Sequence, residues 1–244
     1  MRAHLIAAGK YHDIDFARLE ILKLLAEWPQ IRTSVAADYG DAELLGESAL
    51  LITYTCDLVP EADQVAHLAD FLNQGGRWLA LHGTNSLLRF AEDGTVLTPD
   101  AAPDFMALLG TQFEGHPPIG AYKVRVTRDD HMMTAGLRDF NIIDELYLGR
   151  RTAPIDVLLH TEFSGTCPEY GTRQWQEGEV PVLYERRVGK GAVLYLTLGH
   201  CRGHYDLVPV RPFNPHPERC AWNYPVYYEL LRRGIRWAMG DEGG

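Results

Sequence analysis

The sequence has few cysteines, and none of them lies close to another. The four cysteines stand at positions 56, 167, 201 and 220, and no two form a C-x-x-C pair. A zinc ribbon or a thioredoxin-type redox site needs such a pair, so neither is expected. We predict reduced thiols, with Cys56 in the core because it follows an apolar run.

The sequence is also short of positive charge and of long apolar segments. It has 33 acidic and 23 basic side chains, which gives a net charge of −10 at pH 7. Nucleic acids and anionic membranes are bound by basic faces, so neither is an expected partner. No apolar run approaches the ~18 residues that span a bilayer, and residues 1–8 lack the pattern of a secretion signal. These absences predict a cytoplasmic protein.

Two common catalytic signatures are missing as well. There is no G-x-S-x-G or G-x-C-x-G turn to present a nucleophile at the end of a strand. There is also no glycine-rich phosphate loop, because Gly9 stands alone and Gly75-Gly76 precedes a strand instead of a helix. Binding of NAD or ATP is therefore not indicated.

Short apolar segments alternate with amphipathic ones over the first 85 residues. This pattern predicts strands at 3–8, 31–35, 49–54 and 78–81, helices at 15–27 and 60–72, and a short helix or turn at 41–46. Such alternation is typical of an α/β fold with a mostly parallel sheet and helices on both faces. At 244 residues, one domain over residues 1–244 is expected.

The second half of the sequence reads mainly as strands. We predict a helix at 105–109, strands at 121–127, 142–147, 157–161, 180–187 and 192–198, and a final helix at 224–239. Residues 187–191 are predicted to form the turn of a hairpin. The segments 85–104 and 199–223 are long loops, which in compact domains are often lids or binding loops.

Polar side chains follow the ends of several predicted strands. His82 ends the apolar strand at 78–81, and His200 follows the strand at 192–198. Glu145 stands next to a second carboxylate, Asp144, within the otherwise apolar strand at 142–147. His12 and His116 lie in two further polar segments. Because ligand sites in α/β sheets lie at the carboxyl ends of strands, we expect these side chains to gather there. A histidine–glutamate pair is suited to proton transfer, so His82, Glu145 and His200 are the predicted catalytic residues.

The same side chains are candidates for a metal site. Histidine and carboxylate are ligands of zinc and other divalent ions. The metal candidates are His82, His116 and His200, with Glu145 or Asp206 as the carboxylate. A second histidine follows His200 after four residues, but an intervening glycine argues against the helix on which this spacing usually binds metal. No other cofactor is indicated.

Eight short segments, in order, resemble the ThuA-like (trehalose utilisation) family and cover nearly the whole chain. They are GKYHD (9–13), FLNQGG (71–76), LALHG (79–83), GTQFEGHP (110–117), DELY (144–147), GKG (189–191), TLGH (197–200) and GIRWA (234–238). The resemblance implies the class I glutamine amidotransferase-like superfamily and a flavodoxin-like three-layer sandwich, without the amidotransferase cysteine. It also implies a role in sugar metabolism, on oxidised (keto) disaccharides or related glycosides.

The family's polar residues carry over onto six positions of this chain, namely His12, His82, His116, Glu145, Tyr147 and His200. Two segments depart from the family pattern. Where members commonly have alanines, this chain has Gly-Thr-Asn at 83–85, and the loop at 199–223 is longer than expected. Both departures lie at the edge of the sheet where the pocket is expected.

Three functions remain open at this point. The first is a carbohydrate enzyme that uses His82, Glu145 and His200 as acid and base, for example to enolise a sugar carbonyl. In this hypothesis His12, His116 and Tyr147 bind hydroxyls or orient the catalytic residues. The second is a metal-dependent hydrolase built on the same histidines. The third is a non-catalytic protein that binds a sugar or a protein partner.

The remaining histidines and aromatic residues are interpreted mainly as structural. His67, His131 and His160 are expected at the surface or at the edge of the core. Three aromatic residues could offer apolar faces to a sugar ring, but packing is the expected role of Trp175, Trp222 and Tyr224. The apolar residues of the final helix are compatible with a homo-oligomer.

Overall fold

The structure is a computed structural model that describes residues 1–203 and 216–240. The strands are β1 (Arg2–Gly9), β2 (Arg32–Ala36), β3 (Leu50–Cys56), β4 (Arg77–Leu81), β5 (Arg89–Phe90), β6 (Val96–Leu97), β7 (Thr111–Gly115), β8 (Gly120–Val126), β9 (Phe140–Asp144), β10 (Leu148–Arg151), β11 (Asp156–Thr166), β12 (Gln174–Val188) and β13 (Gly191–Leu196). The helices are α1 (Ile14–Ala26), α2 (Ala42–Gly46), α3 (Ala62–Asn73), α4 (Pro103–Leu109) and α5 (Pro225–Ala238). Single 3-10 turns lie at His82–Asn85 and Cys220–Asn223.

A large mixed sheet organises the described part of the chain. Its strand order is β2-β1-β3-β4-β13-β12-β11-β8-β9. The first five strands are parallel, and every pair from β13 onward is antiparallel. The predicted alternation of strands and helices over the first 85 residues is confirmed, since all seven elements form. All seven residues of β3 are buried, as expected for a strand in the middle of a parallel sheet.

Helices cover both faces of the parallel half of the sheet. Successive strand residues point to opposite faces, so Leu5 packs in the cluster that contains α1 and α5, whereas Ile6 packs in the cluster that contains α2, α3 and α4. The final helix is found close to its predicted range. No helix within residues 1–203 and 216–240 is long and apolar enough to cross a membrane.

The second half of the sheet differs from the prediction of a mostly parallel sheet. Strands β11, β12 and β13 follow one another through short connections, and such connections can join only antiparallel neighbours. The predicted turn at 187–191 is confirmed, with Gly189 in the left-handed region at φ 56°. The sheet is therefore an α/β sheet whose parallel character ends at β13.

The predicted strand at 142–147 ends at Asp144. The backbone amide of Glu145 bonds to the Asp144 side chain at 3.0 Å instead of to a neighbouring strand. Glu145 and Tyr147 therefore leave the sheet and enter a loop at its edge. Sequence patterns also missed β7 and β10, which pair only with each other in a short antiparallel ribbon.

The predicted loop at 85–104 contains a short hairpin, β5–β6, which bonds to the turn that connects β11 and β12. The amide of Val96 donates to the carbonyl of Glu169 at 2.7 Å, and the amide of Gly171 donates to the carbonyl of Val96 at 3.0 Å. The other predicted loop, at 199–223, is described at its two ends. The expectations for His204 and Asp206 lie outside the described residues.

Candidate functional site

Four predicted site residues meet at the carboxyl edge of the sheet. His12 follows β1, His82 follows β4, Glu145 follows β9 and His200 lies shortly after β13. One side-chain nitrogen or oxygen from each residue lies within 4.8 Å of those from the other three. All four residues are at most 4% exposed. The parallel strands supply the three histidines, and the antiparallel half supplies the carboxylate.

The rings of His82 and His12 turn their Nε2 atoms towards each other. Nδ1 of His82 donates to the carbonyl of Thr197 at 2.8 Å, and Nδ1 of His12 faces the carbonyl of Lys10 at 3.3 Å. A carbonyl can only accept, so in the neutral rings each proton lies on Nδ1 and each Nε2 carries a lone pair. The two Nε2 atoms are 2.9 Å apart. Two lone pairs at this distance repel unless a proton or a cation lies between them.

His200 is held between two carboxylates. Its Nε2 lies 2.9 Å from Oε2 of Glu218, and its Nδ1 faces Oε2 of Glu145 at 3.2 Å without forming a hydrogen bond. The backbone around it is anchored by Asp144, whose carboxylate accepts from the amides of Gly199 at 2.7 Å and His200 at 3.1 Å. Asp144 thereby joins the end of β9 to the loop after β13.

The surroundings of these groups determine their charge. Burial and the neighbouring histidines lower the pKa of His12 well below its usual value. Burial raises the pKa of Glu145, but the facing charges of His116 and His200 outweigh it, and this pKa lies well below the usual range. Burial lowers the pKa of His200, whereas Glu145 and Glu218 raise it to about 9. The centre therefore combines a neutral His12, an ionised Glu145 and a His200 that carries a proton at neutral pH.

His116 and Tyr147 lie on the other side of Glu145. Nε2 of His116 contacts Oε1 of Glu145 at 3.0 Å, and its Nδ1 lies 2.7 Å from the carbonyl of Pro117. The Tyr147 ring lies against His82, with 4.2 Å between ring centroids. Burial and the charge of Glu145 raise the pKa of Tyr147, so its hydroxyl stays protonated.

A cavity of about 450 Å³ opens above Glu145. Two aromatic pairs form walls of this cavity, namely Tyr11 with Phe90, whose ring centroids are 5.8 Å apart, and Phe113 with Tyr170, whose centroids are 5.6 Å apart. The polar residues that line it are His12, His116, Glu145, Tyr147, Arg202 and Glu218, among others. His82 and His200 are fully buried. They contact residues that line the cavity: His82 contacts His12, Glu145 and Tyr147, and His200 contacts Glu145 and Glu218.

The four clustered residues fit a divalent metal ion. Atoms that bind one tetrahedral ion at 2.0–2.1 Å are about 3.3 Å apart, and neighbouring atoms here are separated by 2.9, 3.2 and 3.5 Å. Imidazole nitrogens with one carboxylate oxygen suit zinc, manganese or iron. The set differs from the sequence candidates, because His12 belongs to it and His116 does not.

Sequence reasoning missed the aromatic walls of the cavity, and it missed Glu218, which contacts the centre directly. It contacts His200 and also Arg202, whose Nη1 lies 3.3 Å from the same carboxylate oxygen. Glu218 belongs to no recognisable sequence motif, and it lies 18 positions after His200 in the chain. The available signal was its position in the long polar loop at 199–223.

The histidines interpreted as structural lie away from the centre. His131 contacts Glu185 at 3.0 Å, His160 bonds to Thr127 at 2.6 Å, and His67 is exposed. His131 and His160 make local contacts on other elements, and none of the three lines the cavity.

The three aromatic residues considered for sugar binding pack elsewhere. Trp222 is 4% exposed, and its indole N–H donates to the carbonyl of Gly199 at 2.8 Å. Trp175 and Tyr224 are partly buried against hydrophobic clusters. The aromatic walls of the cavity come instead from other residues, described above.

Comparison with known proteins agrees with this fold. A ThuA-like protein from Bacteroides uniformis superposes with a TM-score of 0.67 at 16% identity, covering 98% of this chain and 91% of that one. A ThuA-like protein from Parabacteroides merdae gives 0.65 at 16% identity, covering 98% and 90%. The β-galactosidase of Rahnella sp. R3 gives 0.57 at 13% identity, covering 98% of this chain but 31% of the enzyme. These likenesses show the fold alone.

No curated protein sequence matches the chain. The family model for ThuA, described as trehalose utilisation, matches residues 7–211. That range includes all four clustered residues and both walls of the cavity. The chain belongs to the ThuA family.

Proposed function

We propose that this protein is a metal-dependent enzyme that transfers protons on a small carbohydrate. One observation carries the proposal: His12 and His82 turn their Nε2 atoms towards each other and towards Glu145, while carbonyl oxygens face their Nδ1 atoms. Histidines that bind metals usually donate their other N–H to a carbonyl or a carboxylate. Glu218 supplies this outer acceptor for His200.

Burial favours this role over direct proton transfer by His82 and His200. Both side chains are fully buried, and a general acid or base must come within hydrogen-bond reach of its substrate. Glu145 and His12 line the cavity and could present a bound ion to a ligand. Such an ion would polarise a carbonyl or hydroxyl oxygen of the ligand.

His116 is the group best placed to move a proton at the cavity. It lines the cavity with a side chain that is 17% exposed, and both of its ring nitrogens face oxygen acceptors. In its neutral form the ring can accept a proton from a ligand, and in its protonated form it can return one. Tyr147 adds a hydroxyl donor on the same side.

The carbohydrate part of the proposal rests on the family description and on the cavity walls. Two pairs of aromatic rings and several polar side chains line the same cavity, a combination that suits a ring with apolar faces and hydroxyl edges. Enolisation beside a sugar carbonyl needs an acid, a base and a group that stabilises an oxyanion. It needs no nucleophile, and the sequence offers none of the usual nucleophile turns.

Elemental analysis of the purified protein tests the proposal. We expect about one equivalent of zinc, manganese or iron in the wild type and in the control His160→Ala, whose imidazole lies on β11. The metal should be absent from Glu145→Gln and from His12→Ala. Solvent deuterium should enter keto sugars only with the metal-loaded proteins, as followed by NMR. A metal-free wild type that exchanges these protons would contradict the proposal.

A further inference from the structure

The backbone of His82 has a conformation that few non-glycine residues adopt. Leu81 is still extended, with φ −119° and ψ 139°, and His82 turns to φ 42°, in the left-handed region. The chain then makes a single 3-10 turn to Asn85. This reversal aims the His82 ring at His12 and Glu145. Something must hold the turn, because the left-handed conformation is unfavourable for a residue with a side chain.

The hydroxyl of Tyr195 bonds to both ends of this turn. It donates to the carbonyl of His82 at 2.6 Å and accepts from the amide of Asn85 at 2.9 Å. Tyr195 comes from β13, the strand beside β4, and it is fully buried. No water is needed to satisfy either backbone group, because one hydroxyl satisfies both.

The Asn85 side chain extends the same network to β7. Its Nδ2 donates to the hydroxyl of Thr111 at 2.8 Å, at the start of the strand that leads to His116. Asn85 is 4% exposed and Thr111 is 7% exposed. The turn that carries His82 is therefore tied on one side to β13 and on the other to the strand before His116.

We propose that Tyr195 and Asn85 are positioning residues that hold His82 in its left-handed conformation and so place its Nε2 in the metal centre. The inference rests on the proposed function for its consequence, metal binding. It gives a role to the Gly-Thr-Asn segment at 83–85, which departs from the pattern common in the family. The geometric part, the conformation of His82, can be tested without metal.

The chain offers a closely matched control in Tyr184. Its ring stacks on that of Tyr195 with 5.3 Å between centroids, and it is also fully buried. Its hydroxyl makes two hydrogen bonds as well, with the Thr111 hydroxyl at 2.8 Å and the Leu109 carbonyl at 3.0 Å. Neither bond is to the backbone of the turn. The Thr111 hydroxyl can still accept from Asn85 after Tyr184→Phe, so this variant removes a buried hydroxyl while Tyr195 keeps both of its bonds to the turn.

The experiment compares cobalt(II) binding and crystal structures for the wild type, Tyr195→Phe and Tyr184→Phe. Changes to groups that orient a metal ligand typically weaken metal binding by 10–100-fold. We expect a loss in this range and an altered cobalt absorption spectrum for Tyr195→Phe, with wild-type affinity and spectrum for Tyr184→Phe. In the metal-free crystals, His82 should leave the left-handed region only in Tyr195→Phe.

Several outcomes would overturn the inference. Equal affinity and an unchanged His82 in Tyr195→Phe would do so, as would equal losses in both variants. If Tyr195→Phe does not fold, Asn85→Ala replaces it, because this change removes the bond to Thr111 and should weaken cobalt binding at least several-fold. A wild type that binds no cobalt would refute the proposed function, and the metal-free crystals would then decide the inference.

Discussion

Metal binding to this centre should release a proton from His200, and the apparent affinity should rise with pH. Nδ1 of His200 faces Glu145 at 3.2 Å, and Nε2 faces Glu218 at 2.9 Å. Burial lowers the pKa of this imidazole, but the two carboxylates raise it to about 9. At neutral pH the ring therefore carries a proton on the nitrogen that would bind the metal.

The size of the effect follows from that pKa. A metal ion and a proton compete for the same lone pair, so each pH unit below the pKa weakens the apparent affinity tenfold. At pH 7, two units below about 9, the apparent dissociation constant should be about 100 times the value at high pH. The sign is fixed, because raising the pH removes the competing proton. The low pKa of His12 means that His12 adds no such dependence near neutrality.

Calorimetric titration of the chelator-treated protein with zinc measures this proton directly. Repeating the titration in two buffers with different heats of ionisation gives the number of protons released, which should be close to one at pH 7. Glu218→Gln removes one of the two carboxylates and should shift the pH dependence to lower pH. An affinity that stays flat between about pH 6 and 8, with no proton released, would refute the reasoning.

Three further predictions concern stability and the cavity. A Cβ on Gly191 would lie 2.2 Å from the carbonyl oxygen of Gly76, so Gly191→Ala should lower the free energy of unfolding in urea by about 3 kcal/mol. The control Gly46→Ala, with open space around the new Cβ, should change this free energy by less than about 0.5 kcal/mol. Asp144→Asn weakens charge-assisted hydrogen bonds to three backbone amides. It should lower the free energy of unfolding by about 2 kcal/mol and reduce the zinc content, and an unchanged zinc content would contradict the anchoring role of Asp144. The Phe90 ring lines the cavity and is half exposed. Phe90→Ala should therefore weaken sugar binding in titrations and leave the melting temperature within a few degrees, and an unchanged affinity would show that Phe90 does not contact the sugar.

The strands and helices of the first half of the chain could be predicted from the local pattern of apolar and polar residues. The apolar run of β3 and the amphipathic spacing of α1 and α3 are each sufficient to predict the element, because strands buried in a parallel sheet have no polar face. The second half was less readable. Strands such as β7 and β10 are short and lie in a separate ribbon, where pairing with a distant segment decides the structure more than local propensity does.

The site likewise combines features that the local sequence predicts with features that depend on the tertiary structure. The sequence alone placed His82 and His200 at strand ends, since an apolar run that stops at a polar residue marks the edge of a parallel sheet. It placed Glu145 inside a strand, whereas the structure ends that strand at Asp144. Only the tertiary structure decided that His12 joins these residues in place of His116, and that Glu218 contacts the outer nitrogen of His200. These choices depend on where side chains point and on segments that return from far along the chain, and no periodicity encodes either property.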